Sequence, residues 1–526
     1  MAEKGKGYTI GVSSGMFKIA QGKEREDYLT FLNKVFWGST KGVDFTQLDL
    51  ESITEFKEPF LKKEVERIKS LGLRFGIHGE SAATTGIHTI PLDSALTDDY
   101  KRAHTRLMEH IIGGGETHAE YVLVHASEST PMILLGKEFQ PTKLVDFWGR
   151  PLKELVEDPS VKKKMEEWLL KADYVWEFTH NTPDEYISDY KERVSRATAA
   201  QRSEGNEEQP KKEDDAKIEE AAKKNALEVF FKKTNMSDLV YGAERAAYYV
   251  VAKWMELTKD PLWENIAGGK KIDSIYKEFE KWVPAVSAKY IWGHFNPIRG
   301  GDYESEDPKK KLDQYNLDWV FETEMAQGGY ETYMRLAEIP HLYYLAAAIG
   351  SKHVGVAVDA EHLLSANLNP LEQVAKLPNR GGELVKVIHA GFPTPHIPGH
   401  IPIAVGSEAQ RYIYRMLFIL RQKGFKNGII IFERGGGEDP VRQTVLALRL
   451  IVQFLEKDVE PDKLPEEFYG MKPGGPEIAR QLVAIREHAL DPMKGLITVP
   501  EEEHGFFGKA AIEKGKGEEW KKEKYK

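Results

Sequence analysis

Six segments of this 526-residue chain run a short apolar, β-like stretch into a histidine or a carboxylate. They are LRFGIH ending at His78, AEYVLVH ending at His125, WVFE ending at Glu322, VAVD ending at Asp359 with His362 three residues on, KVIH ending at His389, and IIIFE ending at Glu433. His400 follows in the loop after KVIH. A buried carboxylate or imidazole is costly unless something pairs with it. No matching set of Lys or Arg stands at these strand ends. If the ends meet, five imidazoles and three carboxylates face one another, and the simplest solution is divalent metal. More than one ion is expected, because one ion rarely uses more than four protein ligands. Imidazole and carboxylate without sulfur suit Zn²⁺ first, with Mn²⁺, Mg²⁺ or Fe²⁺ as alternatives.

The elements that must bring these residues together are βα units. Strand-like runs end near residues 12, 49, 78, 125, 322, 359, 389 and 433, and most are followed by a segment with helical apolar spacing. Eight such units predict an α/β fold, a closed parallel (β/α)₈ TIM barrel, whose strands all open their C-terminal ends at one mouth. A doubly wound open sheet is the alternative. The rhythm breaks between the fourth and fifth strands. The expected organisation is therefore a first half-barrel over 1–129, a mostly helical insertion over 130–310, a second half-barrel over 311–460 and a C-terminal extension over 461–526. Within the insertion, 196–224 reads as a charged linker or an exposed charged helix, too poor in apolar surface to offset its ordering entropy. One further helix is expected over Pro476–Ala489, before a Lys-rich tail.

Composition bounds the rest. A net charge of −10 gives the average surface no attraction for nucleic acid, so a polyanion would need a local basic patch. With no cysteine, disulfides, thiolate nucleophiles and thiolate metal sites are excluded together. No signal-like or membrane-spanning apolar run is present, so a cytoplasmic protein without membrane contact is expected. High charge without cysteine is compatible with a thermophilic source.

Other conspicuous residues have plainer readings. The triple glycines at 113–115 and 435–437 match no nucleotide-binding fingerprint and read as flexible βα turns. His104, His110, His118 and His353 read as solvated, and the Trp/Tyr-rich stretches of the insertion as its core. Glu324 is the weaker ligand beside Glu322, because the strand is expected to end first. Glu80 is a further acid/base candidate just past His78.

These motifs resemble the xylose isomerase-like TIM barrels, whose branches include endonuclease IV (AP endonuclease family 2) and the metal-dependent sugar isomerases and epimerases. The resemblance covers about 1–129 and 311–460. Endonuclease IV-like elements fall on FGIHGE, VLVHAS, VFETE, VAVDAEH, VIHAG, GHIPI and IFERGG, which implies His78, His125, Glu322, Asp359, His362, His389, His400 and Glu433 as ligands of a multinuclear zinc site. One family ligand is missing: the position two before His400 is Pro398 where the family has Asp, with His396 as a conceivable substitute. The isomerase branch resembles a smaller set, Glu322, Asp359, His389 and Glu433 around one divalent ion, with His362 on the substrate and the two glutamates as catalytic acid/base groups. His125 has no place in that smaller set, so the first expectation is a phosphodiester hydrolase, with a sugar isomerase or epimerase as the alternative. A degenerate barrel serving as a binding scaffold is a third reading, with a partner protein or oligomer contact through 130–310 and RNA or a ribosome-like polyanion at the Lys-rich tail.

Overall fold

The computed structural model describes residues 7–14, 30–50, 52–79, 90–127, 129–131, 144–177, 181–203, 212–232, 240–296, 306–324, 332–392, 402–433 and 440–471. The chain forms two compact units, Met1–Ile401 with Ile419–Gly437, and Pro402–Phe418 with Glu438–Lys526.

The first unit contains the barrel. Its strands are β1 (Tyr8–Ser13), β2 (Phe45–Asp49), β3 (Phe75–His78), β4 (Tyr121–His125), β5 (Asp318–Glu322), β6 (Val354–Asp359), β7 (Val385–His389) and β8 (Gly428–Phe432). All pair in parallel, each with its neighbours in the chain, and β8 closes on β1. The eight-unit reading of the sequence is met, with every strand end within a residue or so of its expected place.

Strand periodicity explains how one barrel can be apolar below and polar above. Side chains alternate between faces, so residues two apart share a face. Phe45, Leu123, Val320, Ala357, Val387 and Ile431 pack together with Tyr121 as the interior plug. Two residues further along the same strands stand Gln47, His125, Glu322, Asp359, His389 and Glu433, and two beyond Gln47 stands Asp49. The parity that fills the plug therefore raises a polar ring above it. The pairing register supports this, setting Asp49 against His78, His125 against Glu322 and Asp359 against His389.

The plug leaves no room for a side chain at position 76 of β3. A Cβ added at Gly76 would lie 2.3 Å from Cε1 of Tyr121. That ring is itself stacked on Phe45, with centroids 5.7 Å apart and planes 12° from parallel. Gly76→Ala is expected to destabilise the fold by about 1–3 kcal/mol, measured as a shift in the denaturant midpoint at unchanged slope.

The insertion is helical, as expected, and its aromatic residues form its core: Trp176, Trp263 and Trp282 are fully buried. Of the charged stretch 196–224, residues 196–203 end the helix Pro183–Ser203 and 212–224 lie in the helix Lys212–Lys232, and the two helices pack side by side with Lys191 paired to Glu219. Two three-residue strands, Ser129–Pro131 and Thr332–Met334, pair antiparallel and tie the segment after β4 to the segment after β5.

Two sequence expectations are corrected. Gly113–Gly115 is not a turn but lies inside the helix Thr97–Thr117. Cβ atoms added there would reach within 2.4 Å of Phe56, 2.6 Å of Val122 and 2.2 Å of Tyr315, so these glycines serve close packing of the helix. His104, His110 and His353 are buried rather than solvated. His110 donates to its own helix at Arg106 O (2.7 Å), and His353 pairs with Asp318 (2.9 Å), so burial is compensated locally. His118 is exposed, as expected.

In the second unit, Ile403 N donates to Thr444 Oγ1 (2.9 Å) and Gln410 Nε2 to Phe468 O (3.1 Å) around Leu417, Leu448 and Phe454. The helix expected over Pro476–Ala489 and the Lys-rich tail lie outside the described residues. No helix among the described residues is long and apolar enough to cross a membrane.

Candidate metal centre

Seven of the eight residues singled out as ligands are described, and the barrel brings all seven together. His400 lies outside the described residues, as do Glu80, His396, Pro398 and Gly435–Gly437. β5 ends at Glu322, which leaves Glu324 beyond the strand, as expected.

The centre is built on Glu322, whose two oxygens face different imidazoles. Oε1 stands 2.6 Å from Nδ1 of His389, while Oε2 stands 3.5 Å from Nε2 of His78 and 3.6 Å from Nε2 of His125. Nδ1 of His389 is also 3.4 Å from Asp359 Oδ2 and 3.5 Å from Glu433 Oε2, so one nitrogen meets carboxylates from three strand ends. His362 Nε2 lies 3.9 Å from Asp359 Oδ2.

Local structure fixes which atom each residue presents. Asp359 caps the helix Ala360–Ser365, its Oδ1 accepting from the N–H groups of Glu361 (2.6 Å) and His362 (2.9 Å), which leaves Oδ2 for the centre. His78 gives its Nδ1 side to Gly79 O (2.9 Å) and His362 gives its Nδ1 side to Thr323 O (2.6 Å). A backbone carbonyl only accepts, so the proton sits on Nδ1 and the Nε2 lone pair turns to the carboxylates.

These atoms fit a cation. Both oxygens of Glu322, Asp359 Oδ2, His389 Nδ1 and His125 Nε2 are buried with no hydrogen-bond partner among the described residues, although they lie close together. Among the described residues no lysine or arginine forms an ion pair with Glu322 or Asp359. Three groups have ligand atoms within 4.8 Å of one another: His78, His125 and Glu322; Glu322, Asp359 and His389; Asp359, His362 and Glu433. Glu322 belongs to the first two and Asp359 to the last two, as bridging carboxylates would.

Without a cation the cluster polarises itself. Burial opposes charge on His78, but Glu322, Glu433 and Asp49 lift its pKa to about 9. Burial likewise opposes charge on His389 and His362, and the surrounding carboxylates raise both. His125 goes the other way, to about 3, through burial and the neighbouring His78. Burial works against an ionised Glu322, yet His389 and His78 hold it well below the usual carboxylate range.

Two site residues escaped the sequence reading. Asp49 is buried at the end of β2, with Oδ2 accepting from Ser13 Oγ at 2.9 Å. Gln47, one step below on the same face, accepts from His389. The signal for Asp49 was present, since VDFTQLDL ends its strand in an acid like the others. An uncharged Gln inside a strand carried none.

A closed parallel barrel with a candidate cation-ligand set at its C-terminal mouth is the class of protein that this fold and this site define. No family model matches the chain, and no curated protein sequence matches it. Among solved structures it is similar to a D-tagatose 3-epimerase-like protein (11% identity, 86% of this chain and 100% of that chain covered, TM-score 0.41). It is also similar to an L-ribulose 3-epimerase (9%, 89% and 100%, TM-score 0.38) and to a 3-keto-D-glucoside 4-epimerase from E. coli (8%, 84% and 98%, TM-score 0.36). At these identities the likeness is one of fold. The closed parallel (β/α)₈ barrel that the resemblance implies is the fold the chain forms.

Proposed function

We propose that this barrel is a divalent-metal-dependent isomerase or epimerase of a small polyhydroxylated carbonyl compound. The observation that supports it is the single nitrogen, His389 Nδ1, standing within 3.5 Å of carboxylate oxygens of Glu322, Asp359 and Glu433. Those four residues are the set to hold the cation, which would polarise a carbonyl and its neighbouring hydroxyl and so ease charge onto oxygen. Glu322, kept ionised by the imidazoles, takes the proton from the carbon beside the carbonyl. Glu433, from the other side of the Asp359–His389 pair, returns a proton to that carbon or its neighbour, and the roles exchange in reverse. His362, its Nδ1 tied to Thr323 O, presents Nε2 to the substrate. Buried ligand atoms and the net charge of −10 suit a small neutral substrate better than a polyanion.

Incubation of the Mn²⁺-loaded protein with a panel of ketoses and aldoses in D₂O tests the reading. Deuterium is expected at the carbon beside the carbonyl, lost on chelation and restored by Mn²⁺. No exchange with any sugar in the panel would sink it.

A second reading, phosphodiester hydrolysis, draws on His78 and His125 at Oε2 of Glu322, which complete a second ligand group. Against it stand Pro398 at the position of a family ligand and the charge of the chain. It requires two or more bound ions and cleavage of abasic-site DNA, so metal content with that assay separates the two.

A further inference from the structure

One hydrogen-bonded unit crosses the barrel interior where the polar ring meets the plug. Gln47 Oε1 faces Nε2 of His389 at 2.9 Å and accepts from Tyr121 OH at 2.7 Å. Gln47 and His389 are fully buried and Tyr121 is 2% exposed. The three residues come from β2, β7 and β4, none of which pairs with another of the three, so no backbone ladder imposes the contact. Tyr121 is placed by its stack on Phe45 and by the missing Cβ of Gly76.

This unit decides a question that backbone carbonyls decide for His78 and His362. A neutral imidazole carries one N–H, and the partner at one nitrogen fixes what the other presents. At His389 the partner is a side-chain amide, which can offer an acceptor oxygen or a donor NH₂. With Oε1 inward, His389 carries its proton on Nε2 and turns a lone pair at Nδ1 toward Glu322, Asp359 and Glu433. Turned over, the amide would put the N–H of His389 on Nδ1, against Glu322, and remove the imidazole from the ligand set. Tyr121 opposes that inversion, because its O–H would then need another acceptor in a layer lined by Leu123, Val320, Ala357, Val387 and Ile431.

We propose that Gln47 is a positioning residue that selects Nδ1 of His389 as the cation-facing nitrogen, with Tyr121 holding the amide oxygen inward. The inference rests on the cation-binding reading above and goes beyond it in assigning a role to residues outside the ligand set.

Co²⁺ titration of the chelator-treated full chain tests it, reading affinity and the visible absorption band, with the unfolding midpoint as a check on the fold. Gln47→Glu keeps an acceptor for the Nε2 proton and is expected to keep the band, with affinity equal to or tighter than that of the unaltered protein. Gln47→Leu offers no acceptor, and its affinity should fall about 10–100-fold with a changed band. Equal binding by Gln47→Leu overturns the proposal. So does loss of binding by Gln47→Glu, which would mean that the amide NH₂ is the required group, and this arm stands alone if Gln47→Leu does not fold. Failure of the unaltered protein to bind Co²⁺ overturns the metal reading, and the present inference with it.

Discussion

Glu322→Gln is expected to strip the protein of metal and turnover while leaving it folded. Both oxygens of Glu322 are committed, one toward His389 and the other toward His78 and His125, so the amide would present one acceptor and one donor to groups arranged for two acceptors. The NH₂ end would point a positive dipole into a site that must attract a cation, and the proton-accepting carboxylate would be gone. Loss of a positioned general base costs about 10²–10⁴-fold in rate, and loss of the cation should take the residual below detection. The fold should survive, because a buried carboxylate is expensive to desolvate and a neutral side chain of equal size removes that cost. Elemental analysis, solvent deuterium exchange and thermal unfolding give the three readouts. A Glu322→Gln protein with its full metal complement would show Glu322 to be a structural partner of His389 instead of a ligand.

Glu322 is legible in the sequence because of how barrels are built. Each strand of WVFE or VAVD type declares itself by its β-branched and aromatic residues, and the first charged residue after it marks the mouth, since a charge any deeper would sit in the plug. The rule reaches Asp49 as well, but Asp49 sits in a strand that already carries Gln47 and follows Asp44, and its apolar run is too short to stand out. What the sequence could not yield is pairing across the interior. His389 and Gln47 are 342 residues apart and meet only when the barrel closes. The glycines at 113–115 mislead for a related reason: three small residues in a row signal a turn locally, while the demand they answer comes from Phe56, Val122 and Tyr315, outside the helix.

Metal removal should make stability depend on pH in a direction opposite to that of metal binding. In the metal-free protein His78 has its pKa raised from 6.5 to about 9. A group held higher in the folded state stabilises that state fully below its unfolded pKa, and the contribution is lost as pH rises through the folded value. The chelated protein should therefore lose thermal stability between about pH 6.5 and 9. A cation held by Glu322 competes with the proton that this carboxylate keeps on Nε2 of His78, so its apparent affinity should climb by up to about tenfold per pH unit over the same window and level off above it. His389 and His362, raised by the same carboxylates, add to the trend, whereas His125, lowered to about 3, stays neutral throughout and adds nothing. Since a cation at a thousandfold excess over its Kd stabilises by about 4 kcal/mol, the gap in unfolding temperature between Mn²⁺-loaded and chelated protein should widen steadily from pH 6.5 to 9. A gap independent of pH would place the cation away from Glu322 and the imidazoles that face it, and would overturn the proposed ligand set.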